Sequence, residues 1–174
     1  MKKQQVAPTG RERTFEEDEI IVSKTDLTGR ITYANKVFLR VAGYEEHELL
    51  GEQHNIIRHP AMPRCVFKYL WDTIEQGQEI FAYVINQCKN GDHYWVFAHV
   101  TPTFNAHGEI IGYHSSRRVP DRKAVETIDG IYKLLLAEEE RHSDPRKGME
   151  SSLQLLVNYL GEHNVAYDEF VFGL

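Results

Sequence analysis

Long apolar runs are missing from this sequence. Nothing in its 174 residues approaches the roughly 18 consecutive apolar positions of a membrane span. The first residues, MKKQQVAPTGRERTFEED, are charged and lack the apolar core of a secretory signal. The expectation is a cytoplasmic protein that does not insert into a membrane. Cysteine is scarce as well. The two that occur, Cys65 and Cys88, are too far apart for a metal or redox pair, and are expected as reduced thiols in or near the core. Positive charge is not in excess: 20 Lys and Arg stand against 26 Asp and Glu, a net charge of −6. With no basic stripe, nucleic acid is not an expected partner. No Walker motif, nucleophile–base pair or metal-ligand cluster stands out, so no enzyme is expected. His54 and His59 are five apart, whereas a zinc-binding HExxH pair on one helix face is four apart.

What is present is an ordinary globular composition, 41% hydrophobic and 26% charged, and one unusual stretch. Residues 53–63, QHNIIRHPAMP, set two histidines, an arginine, an asparagine and two prolines around adjacent isoleucines. A plain surface loop has no need of the isoleucines, and a plain core segment would not hold the charge. Such a segment is half buried and lines something polar.

The rest of the chain divides into a polar leader over 1–17, a sensor-sized domain over 18–120 and a helical extension over 121–174. Two β-rich runs, 20–24 and 30–33, flank the turn TDLTG. Asn35 can cap a short helix that Gly43 ends, and YEEHELLG reads as another. Val66, Phe67, Leu70, Trp71 and Ile74 fall on one face of a longer helix, with Pro63 in its first turn and Gly77 closing it. Three strand-like runs follow, 79–89, 93–104 and 109–119, the first two joined by Asn90-Gly91-Asp92. That turn wants positive φ at its centre and is a strong hairpin signal. Pro120 ends the sheet. An amphipathic helix carries Val125, Ile128, Tyr132 and Leu135, SDPRKG breaks it, and a second helix runs over roughly 149–163. The closing YDEFVFGL is apolar enough to dock on the rest.

This order predicts an α+β class: a PAS fold, with a five-stranded antiparallel sheet, short helices on one face and added C-terminal helices. HNIIRHPAMP, the helix bearing Trp71, and INQCKNGDHYWV together closely resemble the PAS domain of the aerotaxis receptor family over about residues 18–120. The resemblance implies a noncovalently bound FAD whose redox state is reported to a chemotaxis signalling module. It also places Asn35, Arg58, His59 and Asn86 at flavin-site positions. Where the family often has an acidic residue after RHP, this chain has Ala61. The chain most resembles the separate PAS subunit of bipartite energy-taxis systems, which implies a methyl-accepting chemoreceptor-like signalling partner.

The residues themselves fit that chemistry. Arg58 can offer a bidentate fork to phosphate oxygens, Asn55 can donate and accept, and Ile56 and Ile57 can wall a ring. Trp71 sits on the helix that faces a PAS pocket. Plainer roles compete: Arg58 and His59 as caps of the following helix, Trp71 as core, Asn35 as a helix cap. Asn86 inside a strand needs buried partners. A haem ligated by His54 or His59 is the rival cofactor. A light-driven flavin–thiol adduct is not expected, since HNIIRH holds no cysteine and Cys65 lies on the next helix. The rival function is an interaction scaffold with an empty or lipid-filled pocket that works only by dimerising. A homodimer is expected through the leader and the stripe Val125, Ile128, Tyr132, Leu135, the alternative being that the helix over 149–163 folds back and covers that stripe.

Overall fold

The computed structural model describes residues 6–174, so residues 1–5 of the expected leader lie outside the described residues. Five strands form one antiparallel sheet in the order β2-β1-β5-β4-β3. They are β1 (Ile21–Thr25), β2 (Ile31–Ala34), β3 (Ile80–Gln87), β4 (His93–Phe104) and β5 (Ile110–Arg118). The expected α+β class and sheet are what the chain forms. Between β2 and β3 lie α1 (Lys36–Ala42), α2 (Glu46–Leu49), a 3-10 turn (His54–Ile57) and α3 (Arg64–Glu75).

Local chemistry sets these boundaries. Asn35 caps α1 by accepting from Phe38 N, and Gly43, at φ +75°, ends it in the left-handed conformation. Pro63 is the residue before α3 rather than part of its first turn, because Arg64 is the first helical position. Gly91 does more than allow the turn between β3 and β4. A Cβ there would stand 2.4 Å from Ala7 O, because the leader lies against this hairpin. Thr9 N donates to Gly91 O, His93 N to Arg11 O and Arg13 N to His93 O, at 2.7–2.9 Å. The Asp92 carboxylate accepts from Thr9, Asn90 and Arg13, which hold its pKa down at about 2. Polar groups of Thr9, Arg11 and Arg13 thus strap this part of the leader to the hairpin.

The C-terminal helices wrap the free edge of β3. Asp121 caps α4 (Arg122–Glu140), and the stripe Val125, Ile128, Tyr132, Leu135 is no more than 4% exposed. That stripe is therefore covered within the chain itself, which removes the reason it gave for a dimer. The Tyr132 hydroxyl donates to Tyr83 O at 2.5 Å, satisfying a carbonyl that an edge strand would leave bare. α5 (Pro145–Glu162) starts earlier than expected. SDPRKG is both break and start, with Asp144 as N-cap and Pro145 at the first position, where a missing N–H is harmless. The chain end folds as α6 (Tyr167–Phe172), which sets Tyr167 on Tyr69 and Phe172 on Phe81.

Candidate functional site

Strand periodicity gives the sheet two chemically different faces. On β3, Phe81 and Tyr83 meet α6 and α4, while Val84 and Asn86 turn inward to a cavity beneath α3. This cavity measures about 640 Å³, within the roughly 300–1,000 Å³ of small-molecule sites. Val84, Ala98 and Val100 form its sheet wall, and Leu70, Trp71 and Ile74 its helix wall. Trp71 stands edge-on to Tyr113 at 5.4 Å, and Gly29 makes room for its ring. A Cβ at Gly29 would come within 3.2 Å of the indole.

Against these apolar walls the polar groups are few and oddly under-used. Asn86 is 4% exposed, yet its side-chain amide makes no hydrogen bond among the described residues. Its main chain bridges that of Arg58, which ties the QHNIIRHPAMP segment to the sheet. Arg117 is 2% exposed. Its Nη2 donates to Ser23 Oγ and its guanidinium covers the Phe38 ring at 4.5 Å, but Nε and Nη1 have no partner among the described residues. Burial pushes its pKa down to about 10, which still leaves it a cation at neutral pH. Thr25 Oγ1 is also buried without a partner. A buried, half-satisfied cation is costly unless something brings acceptors to it.

His54 completes this polar end. Its Nε2 lies 3.0 Å from Ser23 Oγ and its ring stacks near Phe38. The residue lines the cavity. Burial and the like charge of Arg117 push its pKa down to about 3, so the ring is neutral. The cavity lining is also basic, with Arg58, Arg64 and Lys68, the last paired with Asp72. The Arg58 guanidinium lies 4.8 Å over the Phe67 ring. Burial and the like charge of Arg64 both lower the pKa of Arg58, and Glu139 partly offsets them.

Of the six residues expected at the site, the structure brings Asn55, Arg58, Trp71 and Asn86 to this one cavity. Asn35 and His59 stand elsewhere. The Asn35 amide is committed to backbone: it accepts from Phe38 N and Val22 N and donates to Ile20 O, which locks the corner between β1 and α1. His59 faces a second cleft, its Nδ1 accepting from Ala61 N and its ring 5.7 Å from that of His93. Arg117, Ser23, Arg64 and Lys68 were not foreseen. One signal for Arg117 was available, since adjacent arginines on a strand must point to opposite faces, and one of them inward. Both cysteines are free and buried, and burial pushes each pKa up to about 11. Neither lines the cavity. No helix among the described residues is long and apolar enough to cross a membrane.

Comparison with known proteins agrees with the fold. The chain is 40% identical over 121 residues to the aerotaxis receptor of Escherichia coli, covering 70% of this chain and 24% of that protein. It is 33% identical over 103 residues to a nitrogen fixation regulatory protein of Klebsiella pneumoniae, covering 59% and 21%. The chain thus spans about a quarter or less of the length of these two relatives. Among solved structures, one described as "Flavin Analogue Sheds Light on Light-Oxygen-Voltage Domain Mechanism" superposes with a TM-score of 0.57 at 18% identity, covering 70% of this chain and 88% of that one. The light state of the Aureochrome1 LOV photoreceptor gives a TM-score of 0.56 at 20% identity, covering 69% and 91%. At such identities these likenesses speak for the fold alone. Residues 31–117, half of the chain, match the family described as "PAS fold", and the chain belongs to that family.

Proposed function

We propose that the chain is a redox sensor that holds one FAD in the cavity and reports its state through the C-terminal helices to a separate, chemoreceptor-like signalling protein. The carrying observation is the pair of idle buried donors, Arg117 Nε and Nη1, in a largely apolar cavity that Asn86, Arg58 and Arg64 also line. A flavin fits that pattern of chemistry. Its ring system is flat and apolar on both faces, one edge carries carbonyl and nitrogen acceptors, and its far end carries phosphate. Asn86 and Arg117 would meet the acceptor edge, Trp71 and the valines of the sheet would wall the ring, and Arg58 would take phosphate oxygens. The 40% identity to an aerotaxis receptor supports the same reading.

When bound, the flavin supplies reversible electron and proton uptake, which changes the hydrogen-bonding character of its N5 edge. The protein's part is to read that change. An amide such as Asn86 can turn to donate or accept, and a lost buried hydrogen bond costs about 1–3 kcal/mol, enough to shift a two-state equilibrium by tenfold or more. From Asn86 the strand β3 runs back to Tyr83, whose carbonyl holds Tyr132 of α4. At its other end α4 places Glu139 Oε1 3.0 Å from Cys65 N, at the start of the helix that carries Trp71. Sheet, α4 and α3 thus form a closed loop around the cavity. Signalling by helix repacking, rather than catalysis, is the function this arrangement supports, with residues 18–120 as the sensor and 121–174 as the output element. The exposed Leu134 and Val157 on the helical hairpin offer the signalling partner a contact. Since no cysteine lines the cavity, redox chemistry rather than thiol photochemistry is the mode of sensing.

The absorbance spectrum of the purified protein, followed by release and mass measurement of any bound group, tests this reading. Oxidised flavin bands and FAD at one per chain are expected. A colourless protein that takes up no added flavin, or a haem spectrum, would contradict it.

A further inference from the structure

The last helix, α6, does not stand by itself. It has six residues, and its N-cap, Ala166, offers no side chain to the free N–H groups of the first turn. Isolated helices shorter than about 12–15 residues are marginal in water, so α6 is helical because it is docked. α5, in contrast, ends without its help. Asn164 takes the left-handed conformation at φ +50°, and its N–H donates to Gly161 O while Val165 N donates to Leu160 O. These two bonds close the last turn of α5, and asparagine tolerates the positive φ that they require. The link between the helices is thus a finished turn, from which α6 can lift without unwinding α5.

What α6 docks on lies on both sides of the sheet. At its first residue, Tyr167 sets its ring 4.7 Å from that of Tyr69 on α3. Tyr69 directly precedes Leu70 and Trp71, which wall the cavity. At its last residue, Phe172 lies 4.7 Å from Phe81 and 6.1 Å from Phe97. Those two rings stand on the face turned away from the cavity, because they alternate with the lining residues Val84, Asn86 and Ala98. Tyr167 and Val171 are buried, so the docking surface is well covered. α6 therefore reaches from the cavity helix round the edge strand β3 to the outer face of the sheet.

We propose that α6 is a strap that clamps α3 to the sheet across the β3 edge and so governs entry to and exit from the cavity. Docked, it keeps the Leu70 and Trp71 wall against Val84 and Ala98. Lifted, it frees α3 to move outward while the sheet stays folded, a local opening at the low end of the stability range. A strap fixed at one end restrains nothing, so both anchors are needed. This separates it from ordinary packing. Phe172 lines no part of the cavity and is 61% exposed, yet its loss should be felt at α3.

The test compares the full chain with its Phe172→Ala and Tyr167→Ala variants. Hydrogen exchange of the empty protein comes first and needs no ligand. Both variants should exchange severalfold or more faster across Arg64–Glu75, with β4 and β5 as protected as before. The second arm, which rests on the flavin reading above, follows uptake and release of added FAD by its fluorescence. A gate speeds both directions, so both rates should rise severalfold or more while affinity changes less. Unchanged exchange in α3 of Phe172→Ala would overturn the strap, as would protection lost equally throughout the sheet, which marks α6 as core packing. Faster release without faster uptake would overturn it too. If FAD does not bind at all, the flavin reading fails, and hydrogen exchange alone decides the strap.

Discussion

Arg117 Nη2 donates to Ser23 Oγ at 2.6 Å, while Nε and Nη1 of the same buried guanidinium meet no acceptor among the described residues. A protein tuned only for stability would not keep such a group; an apolar residue of similar length serves a core better. Its presence makes sense if the cavity is meant to be filled by a ligand that brings acceptors.

Arg117→Met should therefore separate stability from binding. The empty protein is expected to gain about 1–3 kcal/mol in urea unfolding, because two idle buried donors are removed. FAD affinity should fall by tenfold or more. A variant that lost stability and bound FAD normally would show Arg117 to be structural.

Arg58→Ala should lose most of the bound flavin with little change in folding. The side chain is only partly buried and makes no ion pair among the described residues, so its removal costs the fold little beyond its contact with Phe67. Flavin content after purification, beside the thermal midpoint of the empty protein, checks this. Full loading of the variant would remove Arg58 from the phosphate site.

His54 predicts the pH response. Its folded pKa, about 3, lies below the ordinary value near 6.5 because burial, and secondarily Arg117, disfavour the charged ring. Between those values the unfolded chain binds a proton that the folded chain does not. Stability is thus full above about pH 6.5 and falls as pH drops toward 3, by at most about 1.4 kcal/mol per pH unit. His54→Gln should flatten the slope between about pH 6.5 and 5, before ordinary carboxylates titrate. Urea midpoints of wild type and variant across that window decide it; parallel curves would count against a neutral buried His54.

Tyr132→Phe should break the link between sheet and helix without emptying the cavity. It strands the buried Tyr83 carbonyl at a cost of about 1–3 kcal/mol. Flavin content should hold, while the helices lose their dependence on flavin state. A variant whose helices still respond to reduction would place the route elsewhere.

Much of this architecture could be read directly from the residues. Asn90-Gly91-Asp92 announces the β3–β4 hairpin, and β4 runs over the very residues its pattern predicts. Four of the six expected residues line one cavity because QHNIIRHPAMP and the Trp71 helix are local motifs that the fold sets side by side. What stayed hidden depends on distant chain contacts. The docking of the leader needs Asp92 and Gly91 to meet Thr9 and Ala7, pairings that no local pattern reveals. Arg117 reads as a surface strand residue until the sheet shows which neighbour faces inward. The resemblance grouped His59 with Arg58, yet only Arg58 lines the main cavity, while both line the second cleft.

The central claim is that the flavin's redox state reaches the helical extension. Hydrogen exchange tests it most directly, comparing the FAD-loaded protein oxidised and after dithionite reduction. Protection is predicted to change in β3 around Asn86 and, in the same samples, across Arg122–Glu140 and Pro145–Glu162. Exchange that differs only around the cavity, with both helices identical in the two states, would contradict the account even with FAD in place.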